Sequence, residues 1–422
     1  MIIKGGRVID PLSKTDEILD IRIEKGTIIE IEKDIVKRNF PGEEIIDARG
    51  KVLVPGLVDV HVHFRDPGQT YKEDLESGSQ SAIAGGFTSV VQMANTSPKI
   101  DDKEKIIDHY KKARDLPLKV YTVSALTRNF SDLELVDMEE NFKAGALAFT
   151  DDGIPNRNSK LIVDAMNRAK ELGAIISFHE EDPNLIEQNG INHSEVSEKL
   201  NIYGSPTIAE TSFIARDIAM AIYTGAKISI QHISTGLGVD LVKFGKSMGA
   251  NIYAEVTPHH LALNDRAVLK YGTLAKMNPP LRSEEDRLRI IEGIKEGTIE
   301  IIATDHAPHS PEEKAKEITK APSGIIGLET SFSICYENLV LSGEISLMKL
   351  IELMSTNPAK IYGLEGGEIA VGKLADLAII DLESEYKIEK FKSKSSNSPF
   401  AGKNLRGEVL YTISEGKLVY KK

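Results

Sequence analysis

Apolar and polar positions change rhythm twice along this chain. In residues 1–54 they alternate over short stretches: Ile18-Leu19-Asp20-Ile21-Arg22-Ile23-Glu24 runs out, Lys25-Gly26 turns, and Thr27-Ile28-Ile29-Glu30-Ile31-Glu32 returns. That is the pattern of a hairpin with one buried face. From Pro55 the alternation gives way to eight near-continuous apolar runs: Leu57–Phe64, Phe87–Met93, Leu118–Val123, Ala146–Thr150, Ala174–Phe178, Lys227–Ile230, Asn251–Val256 and Ile299–Thr304. Longer helical patterns separate them. From Gly366 the alternating style returns, in Leu374–Asp381, Gly407–Ile413 and Lys417–Tyr420.

Strands that are apolar on both faces belong to a parallel sheet covered by helices. Eight strand–helix units in about 250 residues match the size of a (β/α)8 barrel. A doubly wound open sheet would use the same alternation. The two ends of the chain resemble each other and differ from the middle. The expected architecture is therefore α/β: a TIM-like (β/α)8 barrel over residues 55–364, with a small composite β-sandwich domain assembled from residues 1–54 and 365–422. Ser393–Ser398 reads as a polar loop. The helix beginning at Asp101 leads with acids and trails with bases, as the helix dipole favours. His109 within it reads as solvated surface.

Composition narrows the function. A formal net charge of −12 argues against non-specific nucleic-acid binding. A protein this acidic must reverse its field locally, with a metal or arginines, to hold an anion. No apolar run approaches the ~20 residues of a membrane span. Met1–Gly6 lacks the apolar segment of a signal peptide. The single cysteine, Cys335, excludes an intramolecular disulfide and suits a reducing cytoplasm, the expected location.

The chemistry sits where the apolar runs end. The first run holds His61 and His63, two apart and so on one strand face, with Asp59 and Arg65 on the same side. The second ends in Asn95, the fourth in Asp151-Asp152, and the fifth in His179-Glu180-Glu181. The sixth ends in Gln231-His232, and the eighth in Asp305-His306, with His309 shortly after. In a barrel these strand ends ring one mouth, where the active sites of that fold lie. An isolated His-x-His is more often a hydrogen-bonded buried pair. Four histidines and two aspartates at one rim point instead to metal. Imidazole and carboxylate without thiolate suit Zn²⁺ or a similar divalent ion. Six ligands exceed the three of a mononuclear hydrolytic site, so two ions sharing a carboxylate fit better.

Several stretches resemble one family. They are His61-Val62-His63-Phe64-Arg65-Asp66-Pro67-Gly68, Ala148-Phe149-Thr150-Asp151-Asp152-Gly153, Asn278-Pro279-Pro280-Leu281-Arg282, Ala303-Thr304-Asp305-His306-Ala307-Pro308-His309 and Gly324-Ile325-Ile326-Gly327-Leu328-Glu329-Thr330. Together they resemble dihydroorotases of the long bacterial type, within the amidohydrolase superfamily, and the resemblance runs essentially the whole chain. It implies zinc-dependent, reversible hydrolysis of (S)-dihydroorotate to N-carbamoyl-L-aspartate in pyrimidine biosynthesis. It implies two zinc ions per chain, one held by His61 and His63 and the other by His179 and His232, with Asp152 as the bridge. Asp305 would ligate the first ion and shuttle the proton. Arg65, Asn95 and His309 match positions that hold the substrate carboxylate. Asn278, Ser323 and Gly324 match further substrate contacts. Relatives of this type are often homodimers, and some assemble with aspartate carbamoyltransferase. Those are the implied partners beside the small-molecule substrate.

Several relatives bridge their metals with a carboxylated lysine at the fourth strand. Here that place carries Asp151-Asp152-Gly153, and Lys143 lies before the strand, at the wrong end of a barrel. An aspartate bridge is expected, which disfavours a hydantoinase or allantoinase reading. Arg65, Asn95 and His309 disfavour it too, because a neutral hydantoin needs no carboxylate site. A third reading, an inactive paralogue serving as a scaffold, calls for lost ligands, and none of the six is lost. Asp151 reads equally as a support or a capping residue. Asp59 reads as either a ligand-orienting group or a buried structural carboxylate. His259 and His260 read as structural, His306 as a support behind the site, and His193 as surface. Residues 310–323 read as a lid over the mouth or as a solvated loop.

Overall fold

The structure, a computed structural model, describes residues 1–35 and 42–422. Five strands come first: β1 (Ile2–Asp10), β2 (Thr15–Glu24), β3 (Thr27–Glu32), β4 (Ile45–Asp47) and β5 (Val52–Pro55). Each of the eight apolar runs then forms a strand. These are β6 (Leu57–Val62), β7 (Phe87–Gln92), β8 (Lys119–Thr122), β9 (Ala148–Phe149), β10 (Ile175–Phe178), β11 (Lys227–Ile230), β12 (Asn251–Val256) and β13 (Ile301–Ile302). The chain ends in β14 (Leu377–Lys387), β15 (Asn404–Ser414) and β16 (Lys417–Lys421).

Strands β6 to β13 are parallel and pair in chain order, β6 to β8 in one sheet and β9 to β13 in another. Two parallel bridges join the sheets, Ser124 with Phe149 on one side and Val62 with His306 on the other. The ring therefore closes as a (β/α)8 barrel. Every residue of β6, β7 and β10 is buried, which is why those runs show no alternation. Helices cover the outside, and one packs very closely. A Cβ on Gly78, in the helix Leu75–Ala84, would lie 2.4 Å from the Phe64 ring. Glycine there lets the helix seat against the end of the first barrel strand.

The terminal strands form one mixed sheet in the order β16-β15-β14-β5-β1-β2-β3, with β4 beside β1. β5 and β14 pair antiparallel, Val52 opposite Ile380 and Pro55 opposite Leu377. The two ends of the chain thus meet at the middle of the sheet. Ile3, Val8, Ile21, Leu53, Leu377, Ile379 and Ile413 form its core. β5 leads through Gly56 directly into β6, so the sheet and the first barrel strand are held together covalently.

His109 departs from its expected exposure. In the helix Lys103–Ala113 the buried residues are Ile106, His109 and Ala113, the three-to-four spacing of a packed stripe. The ring Nε2 lies 3.1 Å from the Val120 carbonyl. Burial lowers its pKa to about 4, so the ring is a neutral donor. The stripe is narrow, and the surrounding charges conceal it in the sequence. Among the described residues, no helix is long and apolar enough to cross a membrane.

Candidate active site

The ends of β6, β9, β10, β11 and β13 deliver His61, His63, Asp152, His179, His232 and Asp305 to one cluster, all buried. Asp152 lies at its centre. Its Oδ1 is 3.5 Å from His61 Nε2, 3.6 Å from His232 Nε2 and 3.8 Å from His179 Nδ1. Its Oδ2 is 3.6 Å from His63 Nε2. Asp305 Oδ1 is 2.8 Å from His63 Nε2 and 3.6 Å from His61 Nε2. Two triads result, His61–His63–Asp152 and Asp152–His179–His232, each with ligand atoms within 4.8 Å of one another.

Hydrogen bonds fix which ring atoms face inward. Asn95 Nδ2 donates to Asp152 Oδ2 at 3.0 Å, which turns Asn95 Oδ1 toward His63 Nδ1 at 2.9 Å. His63 Nδ1 must then carry the proton, and Nε2 presents a lone pair to Asp152 and Asp305. His179 Nε2 is 3.2 Å from Glu181 Oε2, so its Nδ1 presents a lone pair 3.0 Å from His232 Nε2. Neither ring nitrogen of His61 is hydrogen-bonded, and Nδ1 of His232 has no partner. Glu255, on β12, stands 3.6 Å from His61 Nδ1.

Lone pairs turned toward carboxylates in a dry site repel unless a cation lies between them. The local field says the same. Burial disfavours charge on His61, yet Asp152 and Glu255 raise its pKa well above the ordinary value. Burial likewise opposes charge on Asp152, yet His61, His232 and His63 hold its carboxyl well below the usual range. The donor set fits a divalent metal ion. The opposite sides of the rings are steadied by Asn95, Glu181 and Glu255, as ligating histidines require.

Backbone strain concentrates here. Arg65, His232 and Asp305 have φ of 60°, 31° and 47°, in a region that non-glycine residues seldom adopt. Asp59 helps hold Asp305. Its carboxylate accepts the Thr304 N–H at 3.1 and 3.2 Å and the His61 N–H at 3.0 Å. Burial pushes its pKa to about 7 against those hydrogen bonds. Asp59 is thus both structural and orienting: it ties β6 to the segment after β13. Asp151 turns away from the cluster. It accepts from Leu126 N at 2.8 Å, Thr127 N at 3.0 Å and Asn156 Nδ2 at 2.8 Å, and so pins the neighbouring loop. Lys143 pairs with Glu139 on the surface.

A cavity of about 310 Å³ opens over the cluster. His63, Arg65, Asn95, Asp152, His179, His232, Asn278, Asp305, His309, Ser323 and Gly324 all line it, and Asn189 joins them. His61 is buried and does not open onto it. The Arg65 Nε donates to Pro308 O at 3.3 Å, and its terminal nitrogens bond no other described residue. Burial lowers its pKa against the pull of Asp305 and Asp152, but a guanidinium keeps its charge. His309 Nε2 donates to Ser323 O at 2.8 Å, leaving Nδ1 as an acceptor 3.4 Å from Lys72 Nζ. Burial, with Arg65 and Lys72 nearby, drives its pKa to about 2, so the ring is neutral. Asn278 lies against His179, its amide nitrogen 3.1 Å from Nε2.

Residues 310–323 are largely exposed; only their end, Pro322 and Ser323, lines the cavity, and two buried lysines fasten the segment to the mouth. Lys276 Nζ donates to the carbonyls of Ile318 and Ala321, both at 2.8 Å. Lys314 Nζ donates to those of Pro322 at 3.0 Å and Gly324 at 3.1 Å. Of the remaining histidines, His260, His193 and His306 match their expected roles, whereas His259, expected to be held by hydrogen bonds, is buried with neither ring nitrogen bonded. His260 lies 2.9 Å from Thr257 Oγ1 and 3.2 Å from Pro279 O, and His193 is exposed. His306 accepts from Gly327 N at 3.1 Å and reaches Glu73 at 3.3 Å. Sequence reasoning missed Glu255, Lys72 and the role of Glu181. Glu255 left one usable sign, an acid inside an apolar run; Lys72 left none.

Residues 52–419 match a model of the amidohydrolase family. A dihydroorotase of Clostridioides difficile (strain 630) is 53% identical over 420 residues, covering 100% of this chain and 99% of that protein. One from Lactococcus lactis subsp. lactis is 48% identical over 421 residues with the same coverage. Among solved structures, the L-hydantoinase (dihydropyrimidinase) of Arthrobacter aurescens superposes with a TM-score of 0.89 at 26% identity, covering 100% of this chain and 96% of that one.

Glu255→Gln is expected to weaken divalent-metal binding by about 10–100-fold, the usual effect of losing a carboxylate behind a ligating histidine. Competition against a chromophoric chelator measures it, and unchanged affinity would remove Glu255 from the support of His61.

Proposed function

The chain belongs to the amidohydrolase family, and from that premise we infer that it catalyses the dihydroorotase reaction. It hydrolyses the ring amide of (S)-dihydroorotate to N-carbamoyl-L-aspartate, and closes the ring in reverse, in pyrimidine biosynthesis. The observation that carries the substrate is Arg65. A half-buried, charged guanidinium whose terminal nitrogens bond no other described residue opens onto the same cavity as Asp152 and Asp305. A substrate carboxylate meets it in a planar, bidentate pair. A neutral hydantoin would offer that half-buried charge no partner.

In this reading His61, His63 and Asp305 would hold one zinc ion and His179 and His232 a second, and Asp152 would be shared by the two. The presence of Asp152 in both triads supports a shared carboxylate. Bound there, the metal supplies Lewis acidity toward the ring carbonyl and lowers the pKa of the attacking water. The chain's own residues do the rest. Arg65, flanked by Asn95 and His309, binds the substrate carboxylate and so orients the ring. Asn278 Oδ1 and Ser323 Oγ are buried without partners, placed to receive polar groups of the ring beside Gly324. Burial opposes charge on Asp305, but the neighbouring His63, His61 and His232 hold its pKa at about 2, so it is ionised. It takes a proton from the water whose oxygen adds to the carbonyl carbon. It returns that proton to the ring nitrogen as the C–N bond breaks.

Catalysis then belongs to residues 55–364, and residues 1–54 with 365–422 form the composite β domain. The single sheet built from both ends supports that division. A cytoplasmic location, a homodimer and assembly with aspartate carbamoyltransferase belong to the same proposal, on the sequence resemblance alone.

Turnover of dihydroorotate should far exceed that of hydantoin and allantoin; preference for either neutral ring overturns the assignment. Metal analysis of the purified protein should return close to two zinc ions per chain, and a value near one forces a mononuclear site. Asp305→Asn should lower kcat by about 10²–10⁴-fold with the circular dichroism unchanged. Residual activity near the parent level would take the proton transfer away from Asp305.

A further inference from the structure

The loop between β14 and β15 holds Ser393–Ser398, a stretch whose sequence advertises no chemistry. In the structure it leaves the terminal sheet and reaches the barrel mouth. Ser395 Oγ donates to Lys72 O at 2.8 Å. Glu73 accepts from Ser393 Oγ at Oε2 and from Lys394 N at Oε1, the latter at 3.2 Å, and its Oε2 also holds His306. Asn397 is only 3% exposed. Its Oδ1 accepts the His309 N–H at 3.0 Å. Its Nδ2 donates to Ala307 O and to Gly324 O, each at 3.0 Å. Its backbone carbonyl accepts the Ile326 N–H at 3.1 Å. One neighbour is a donor and two are acceptors, so the amide cannot be turned over without losing all three bonds.

These bonds land on the two segments that carry one edge of the cavity. His309 and Gly324 both line it. The segments run in close contact: at φ +144°, a Cβ on Gly324 would lie 2.8 Å from Ala307 Cβ and 2.9 Å from His309 Cδ2. The backbone joins them through Ala307 N to Ile325 O at 3.0 Å. The Asn397 amide adds three bonds across the same seam. The His309 ring in turn holds the Ser323 carbonyl.

We propose that Asn397, delivered by the hairpin of the terminal sheet, is a positioning residue for the substrate carboxylate. It fixes the His309 backbone and the Gly324 carbonyl, and through them the reach of the His309 ring and of Ser323 into the cavity. This rests on the assignment of His309 to the substrate carboxylate made above. A carboxylate at this position would face two carbonyl oxygens, and an alanine would leave the His309 N–H and the Ala307 carbonyl unpaired and Gly324 O with Lys314 alone. Asn397 does not line the cavity, so its influence passes through His309.

Steady-state kinetics of the zinc-loaded full chain test this, on Asn397→Asp, Asn397→Ser, His309→Ala and the double variant His309→Ala with Asn397→Asp. Asn397→Asp is expected to raise the KM for dihydroorotate about tenfold, the equivalent of one lost hydrogen bond. Most of kcat and the zinc content should be retained. In the His309→Ala background the same substitution should add little, because the two act as one unit. An unchanged KM in Asn397→Asp, or an effect that multiplies fully onto that of His309→Ala, overturns the proposal and leaves Asn397 a brace for the fold. An unchanged KM in His309→Ala is a different result: it refutes the role given to His309. If Asn397→Asp does not fold, Asn397→Ser removes the amide without adding charge and carries the same comparison. If neither folds, Asn397 serves stability and the proposal fails.

Discussion

Four imidazoles packed around two carboxylates, lone pairs inward, cannot stay buried without positive charge among them. Unit charges about 4 Å apart interact by roughly 4 kcal/mol at the effective dielectric near a protein surface. The imidazole lone pairs turned toward the two carboxylates add to that cost. Much of the barrel mouth answers this one constraint. Asn95 and Glu181 stand behind the rings of His63 and His179 and fix which nitrogen points in, and Glu255 stands 3.6 Å behind His61. Asp59 gathers the N–H groups beside His61 and Asp305. The left-handed backbone at His232 and Asp305 aims their side chains, and the hydrogen bonds around them sustain the strain.

The pocket obeys a second electrostatic requirement. The chain as a whole is acidic, yet the cavity's edge carries Arg65, with Lys72 nearby against His309. The lysines of the mouth do different work. Lys276 and Lys314 spend their charge on backbone carbonyls, and burial lowers their pKa values to about 8 and about 7. They fasten residues 310–323 and leave Arg65 as the cation with free donors.

The eight barrel strands were legible because burial on both faces writes an unbroken apolar run. The six cluster residues were legible because the barrel places every strand end on one rim, so position in the run stood in for position in space. What was hidden needed the ring to close. Glu255 looked like a charge misplaced in β12 until His61 was set against it. His109 was hidden by its own helix, whose charges outnumber the three positions of its buried stripe. Asn397 and Lys72 were invisible for another reason. Their partners are fixed by how the terminal hairpin docks on the barrel, and no local spacing encodes that.

The closing seam of the barrel also orders events in time. His63 and Asp305 are 242 residues apart in the chain, and Lys72 and Ser395 are 323 apart. Synthesis delivers the first strand early, with its two histidines already in place. That strand must wait for the eighth before its ligands have company. The pocket wall waits longer still, for the hairpin that follows β14. A nascent chain therefore carries the ingredients of the centre well before it carries the centre. Contacts of such long range also make assembly slow relative to local folding. Competence is among the last properties the chain acquires as it leaves the ribosome.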